Sequence, residues 1–124
     1  MTKVFVIDGD TGVLELISIL LTGVGFQVSF CTKGEVLLQV RQLQPDVILL
    51  DHFYSGAGEE NLCKQLKSTN ECRHIPVLLM STLDNAATAA ANSGAENFIN
   101  KPFDIDVFVQ NVQDRAKLAE LAKC

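Results

Sequence analysis

The sequence predicts one α/β domain built on a parallel sheet, and three observations carry that reading. Short apolar runs alternate along the chain with segments of helical periodicity. Four of those runs end in polar groups: Val4 to Ile7 leads into Asp8, Val47 to Leu50 into Asp51, Val77 to Met80 into Ser81, and Phe98-Ile99 into Asn100-Lys101. The chain has 124 residues, 48% of them hydrophobic, enough for one proper core and too few for two ordinary domains. If the runs are parallel strands, two carboxylates, a hydroxyl and an ammonium gather at one edge. Open α/β sheets bind ligands beyond the carboxyl ends of their strands, and such a set suits phosphoryl or metal chemistry.

The first strand starts almost at Met1. Val13, Leu16, Ile17, Leu20 and Val24 then recur at i, i+3, i+4, i+7 and i+11, the stripe of an amphipathic helix that Gly23 and Gly25 would break. Phe26 to Phe30 alternates apolar and polar, as a half-buried strand does. Val36, Val40 and Leu43 restore helical spacing until Pro45 stops it. After the strand ending at Asp51, Tyr54 to Gly58 reads as a loop, and Leu62, Cys63 and Leu66 mark one face of a third helix. Residues 68 to 74 form a polar connection, and Ile75 to Met80 reads as the fourth strand. Asp84 caps an Ala-rich fourth helix that Gly94 would close in a left-handed C-cap. Phe98-Ile99 supplies a short fifth strand, and Asp104 caps a fifth helix with apolar residues at 105, 108, 109, 112, 116 and 119. Five alternations make a parallel (βα)5 sandwich. The tail from Gln113 to Cys124 keeps a helix-forming composition and reads either as a solvated helix end or as a lead towards a partner.

Composition narrows the function. Ten basic against fifteen acidic residues give a formal charge of -5, and no Lys/Arg cluster is dense enough to follow a nucleic-acid backbone, so direct nucleic-acid binding is not expected. No stretch approaches the ~20 apolar residues of a membrane span, and the N-terminus lacks the pattern of a signal peptide, which together point to a cytoplasmic protein. Cys31, Cys63, Cys72 and Cys124 are scattered without a C-x-x-C pair or a His at ligand spacing, and read as buried or idle thiols. His52 would point away from Asp51 in a pleated strand, and His74 reads as a surface residue.

Taken in order, V-F-V-I-D, G-F-Q-V, P-D-V-I-L-L-D, I-P-V-L-L-M-S and G-A-E-N-F-I-N-K-P-F resemble the response-regulator receiver domain, from Lys3 to about Lys117. Each piece is common by itself, and the joint order and spacing are what is specific. The resemblance implies a doubly wound, flavodoxin-like fold with five parallel strands in the order 2-1-3-4-5, forming a single receiver domain over residues 1–124 with a helical tail from 118. It implies that Asp51 is the phospho-acceptor, taking a phosphoryl group from a histidine kinase or phosphotransfer protein as the nucleophile of a covalent step. Lys101 would be the fixed cation, and Ser81 the hydroxyl that bonds a phosphoryl oxygen and draws its loop inward. Phe98 would be the aromatic that changes rotamer as the loop moves. Lys101-Pro102 matches a Lys-Pro pair joined by a cis peptide bond. Without the family, Ser81 reads as a strand-end cap, Phe98 as a core residue and Pro102 as an ordinary trans proline. The expected cofactor is magnesium, held by Asp8, Asp51 and the backbone carbonyl of Phe53. The output surface would be the fourth helix, fifth strand and fifth helix, which carry the signal to a downstream protein and leave homodimerisation open. The implied chemistry is gain and loss of a phosphoryl group at Asp51, not turnover of a substrate.

The departure with most consequence is Gly9. The family usually has two adjacent acids after the first strand, and this chain reads Asp8-Gly9-Asp10. Asp10 could fold back as a replacement ligand, helped by the freedom of Gly9, or could serve as the N-cap of the first helix. Two milder departures are Ser55, where many relatives have Pro, and a slightly short interval from Ser81 to Gly94. Gly9 supports an alternative reading as a receiver-like interaction module with impaired metal binding and phosphorylation. A remote third reading compares D-G-D-T with the D-x-D motif of haloacid-dehalogenase-type phosphohydrolases, with Asp8 as nucleophile and Asp10 as general acid/base. That reading leaves Asp51 unexplained and the chain without room for a cap.

Overall fold

Three runs with no polar side chain between their ends can be strands only if both faces are covered, and the computed structural model shows that arrangement. It describes residues 2–8, 11–31, 36–51, 62–81, 97–100 and 105–122. The strands are β1 (Lys3–Ile7), β2 (Gln27–Cys31), β3 (Val47–Asp51), β4 (Val77–Ser81) and β5 (Asn97–Asn100); the helices among the described residues are α1 (Thr11–Gly23), α2 (Val36–Leu43), α3 (Leu62–Ser68) and α4 (Ile105–Ala122). All strand pairs are parallel, in one sheet of order β2-β1-β3-β4-β5. The Ala-rich helix expected between Asp84 and Gly94 lies outside the described residues.

Strand alternation divides the core in two. Phe5, Ile7, Ile48, Leu50, Val77 and Leu79 face α2 and α3, where Val36, Val40, Cys63 and Leu66 meet them. Val4, Val6, Val47, Leu49, Leu78 and Met80 face the other way, against Leu14, Ile17 and Leu21 of α1 and Phe108, Val112 and Ala116 of α4. Helices therefore cover both faces, as an all-parallel sheet requires.

The helix ends explain where the strands start. Gly25 at φ 92° lets α1 close with paired bonds, Phe26 N–H to Leu21 C=O (3.0 Å) and Gly25 N–H to Thr22 C=O (3.0 Å), which turn the chain into β2. At the end of α2, Gln44 takes φ 45°, a conformation that favours glycine. Its N–H bonds Val40 C=O (2.8 Å), and its side-chain amide donates to the Glu71 carbonyl (3.0 Å), pinning α2 to the connection before β4.

Two expectations shift. The buried stripe of α1 is Leu14, Ile17 and Leu21 with Val13 and Leu20 flanking, whereas Leu16 and Val24 are 41% and 40% exposed. The helix is apolar over so much of its surface that several rotations satisfy the same periodicity. Strand β4 begins at Val77, two residues late, because Pro76 accepts a ladder bond from Ile48 N–H (2.9 Å) but has no N–H to return.

Candidate functional site

Parallel register converts the strand ends into a site. Ile7 lies opposite Leu50, so one step further Asp8 stands beside Asp51, on strands about 4.8 Å apart. On the next strand Asp51 is opposite Met80, which sets Ser81 one residue beyond it, and Ser81 is opposite Asn100. Lys101 is the next residue in the chain. From β1 the sheet grows through β2 on one side and β3 on the other. The two carboxylates thus flank the point where strand order reverses, the place where doubly wound sheets open a crevice.

Their environments differ. Asp8 is 2% exposed and is the one buried charged side chain among the described residues, whereas Asp51 is half-buried. Both continue the alternation of Val4, Val6, Val47 and Leu49, on the sheet face shared with α1 and α4. A carboxylate kept out of water is held there by hydrogen bonds or charge, which sets Asp8 apart from the other described acids at this edge. Two hard oxygen donors side by side, one sequestered and one reachable, suit a small divalent cation of the magnesium type. Among the described residues no three His, Cys, Asp or Glu side chains converge on one point.

The structure therefore brings together Asp8, Asp51 and the backbone of Ser81. Phe98 is the second residue of β5, opposite Leu79. Gly9, Asp10, His52, Phe53, Lys101 and Pro102 lie outside the described residues. His74 is exposed, as expected. Cys63 and Cys72 are fully buried, and burial pushes the Cys72 thiol above its ordinary 9.0, opposed by the Arg41 charge and assisted by Glu71. What sequence reasoning missed was the contrast in burial between Asp8 and Asp51. No signal for it lay in the apolar runs, which precede both acids alike.

Residues 4–113 match the response regulator receiver domain. The chain belongs to that family, whose domains act in two-component signalling. It is 30% identical over 118 residues to the DNA-binding dual master transcriptional regulator RpaA of Synechocystis sp., covering 91% of this chain and 48% of RpaA. It is 28% identical to the DNA-binding response regulator MtrA of Mycolicibacterium paratuberculosis, covering 93% of this chain and 51% of MtrA. The chain thus spans about half the length of these curated relatives. Among solved structures, the receiver domain of a Francisella response regulator superposes with TM-score 0.79 at 26% identity, covering 94% of this chain and 98% of that one. The chemotaxis response regulator CheY4 of Vibrio cholerae, at 21% identity and TM-score 0.81 over 93% of this chain and 98% of its own, shares the fold. Among the described residues no helix is long and apolar enough to cross a membrane.

Proposed function

We propose that this chain is a phosphorylatable receiver in which Asp51 takes a phosphoryl group from the phosphohistidine of a histidine kinase or phosphotransfer protein. The observation that carries the proposal is the pairing of a reachable Asp51 with a sequestered Asp8 at the switch point of the sheet. In the transfer, the P–N bond of the donor breaks and a carboxylate oxygen of Asp51 forms the new P–O bond. The electron pair stays on the imidazole nitrogen, which then takes up a proton. Because the transferring group carries spread negative charge, the site must supply positioned cations and donors more than acid-base chemistry. Lys101 supplies the ammonium and Ser81 the hydroxyl. Asp8, Asp51 and the Phe53 carbonyl are the groups that would hold magnesium, which when bound supplies positive charge against the phosphoryl oxygens.

Burial separates the roles of the two acids. Asp8 at 2% exposure is poorly placed to meet a bulky donor, which favours Asp51 over Asp8 as the acceptor. Movement of Ser81 towards the phosphoryl group then opens space for Phe98, and the change reaches a downstream protein through the surface made by the Asp84 to Gly94 segment, β5 and α4.

Acetyl phosphate with magnesium should add one acid-labile phosphoryl group per chain, and Asp51→Asn should abolish it. Labelling that persists in Asp51→Asn overturns the assignment. Lys101→Ala should fold normally and show a weakened chemical-shift response to beryllofluoride. A second reading, a receiver-like module that binds partners without phosphorylation, is favoured by Gly9. It requires the parent to stay unlabelled when magnesium is saturating.

A further inference from the structure

We infer that the outer edge of β2 docks a second copy of this chain, the two β2 strands pairing antiparallel so that two five-stranded sheets become one. In a parallel ladder each residue directs its N–H and its C=O to the same side, and its neighbours direct theirs to the other. Gln27 N–H bonds Thr2 C=O (2.8 Å) and lies opposite Lys3, so Gln27, Ser29 and Cys31 are the residues that bond β1. The backbones of Val28 and Phe30 therefore point outward, and among the described residues no strand lies on that side. Natural edges are usually blunted by Lys, Pro, a bulge or a very short strand. β2 reads Gln-Val-Ser-Phe-Cys, without charge or proline, and its register with β1 is unbroken from end to end. The opposite edge, β5, is shorter and has Asn at both ends. Phe30 shares a sheet face with Val6 and is 42% exposed, two residues from a half-buried Val28.

This edge is self-complementary, which favours a second copy as its occupant. A two-fold axis through the sheet between two Ser29 residues sets Val28 opposite Phe30 of the second copy, and Phe30 opposite its Val28. Each is a hydrogen-bonded pair that exchanges both N–H···O=C bonds, so every outward backbone group of Val28 and Phe30 finds a partner. On the face that carries α1, each phenyl ring then lies beside a valine, an aromatic to β-branched pair of the kind that stabilises sheets. On the face that carries α2, the two Ser29 side chains meet across the axis. No like charges come together in the paired strands, although the chain as a whole has a formal charge of -5. The contact is little more than one strand wide, smaller than a standard interface, so the dimer should be transient, with a Kd on the order of 100 µM. It involves neither Asp8 nor Asp51 and is expected of the unmodified chain.

The test follows sedimentation and backbone amide exchange of the full chain from ~10 µM to ~1 mM, as parent, Val28→Pro, Phe30→Lys and Leu118→Lys. The parent should pass from monomer to dimer over that range. Val28→Pro removes an outward donor and leaves the bonds to β1 in place, and Phe30→Lys sets a cation on the edge, so both should stay monomeric. Leu118→Lys, a change at an exposed position of α4, should dimerise as the parent does. Exchange should reproduce the alternation of the strand. The amides of Val28 and Phe30 should slow severalfold from dilute to concentrated parent, while those of Gln27 and Ser29, already bonded to β1, should not change. If neither β2 variant folds, that pattern in the parent decides the matter. A parent still monomeric at ~1 mM overturns the inference. So does a dimer that Leu118→Lys breaks and Phe30→Lys spares, or one in which the Val28 and Phe30 amides exchange as fast as in dilute solution.

Discussion

At the scale of the residue, the role proposed for the two carboxylates at the edge of the sheet sets function against stability. Like charges on neighbouring strand ends repel, and the less water lies around them the stronger the repulsion. Asp8 cannot escape that repulsion by turning to water, because it is 2% exposed. Asp8→Asn keeps the shape and most of the hydrogen-bonding capacity while removing the charge. In metal-free buffer the relief of repulsion is set against the contacts Asp8 makes, so the net change should stay within about 1 kcal/mol of the parent. In magnesium it should lose any metal-dependent gain in stability, which the proposed metal site predicts for the parent. Urea denaturation with and without magnesium checks both halves, and a variant less stable than the parent by more than that without metal would show that Asp8 stabilises the fold through its present contacts. Gln44 presents the opposite case, a residue holding a costly backbone conformation for a structural return. Its side-chain bond to the Glu71 carbonyl is lost in Gln44→Ala, which should cost about 1 kcal/mol by urea denaturation. Nothing in the sequence around Pro45 announced a left-handed Gln, because the bond that holds it reaches across 27 positions.

At the scale of the element, periodicity reveals that α1 is a helix more reliably than which way it faces. Glu15, Ser18 and Thr22 define its polar side, but the remaining apolar arc is wider than the sheet can cover. The choice among rotations falls to tertiary packing, which buries Ile17 completely and leaves Ile19 71% exposed. Ile17→Ala should thus cost about 2–5 kcal/mol through lost contacts and a cavity. Ile19→Ser should stay within about 0.5 kcal/mol of the parent, as surface substitutions usually do. Equal costs for the two would mean that α1 is rotated from the packing described above. By contrast α4 was legible in both existence and phase, since Phe108, Val112 and Ala116 are buried and Val109 packs beside them. Polar residues at 106, 110, 113, 114 and 117 left that helix one main apolar stripe, with Val107 and Leu118 exposed off it. Strand β4 was legible apart from its start, where Pro76 withholds the donor that would have extended the ladder.

At the scale of the whole molecule, strand existence followed from local pattern, but strand neighbours did not. Apolar runs say that β1, β3 and β4 are buried on both faces, and nothing in the runs themselves orders them. The order came from motifs whose joint spacing resembles a family, and the sheet then gathers at one edge residues as far apart as Asp8 and Ser81. The same covering that makes a parallel sheet possible also seals its thiols. Cys63 lies on α3, and Cys72 in the connection to β4; both are fully buried in the core beneath α2 and α3. A thiol reagent can reach them only when that layer opens, and at pH 8 the raised pKa of Cys72 keeps it protonated and slow besides. Peptide-resolved labelling in native buffer should modify both at least ~10³-fold more slowly than in urea, in line with the folding equilibrium constants of small domains. The pH dependence has a definite sign. The unfolded thiol ionises near 9.0 and the folded one above it, so the unfolded state loses its proton first. The contribution of Cys72 is whole below that pH and declines as pH rises through 9.0 towards the folded value. Stability measured from pH 8 to 10 should fall more steeply in the parent than in Cys72→Ala, whose lower absolute stability does not affect the comparison of slopes. Parallel slopes, or native-state labelling of Cys72 at the rate of a free thiol, would mean that the layer over the sheet is open where the structure shows it closed.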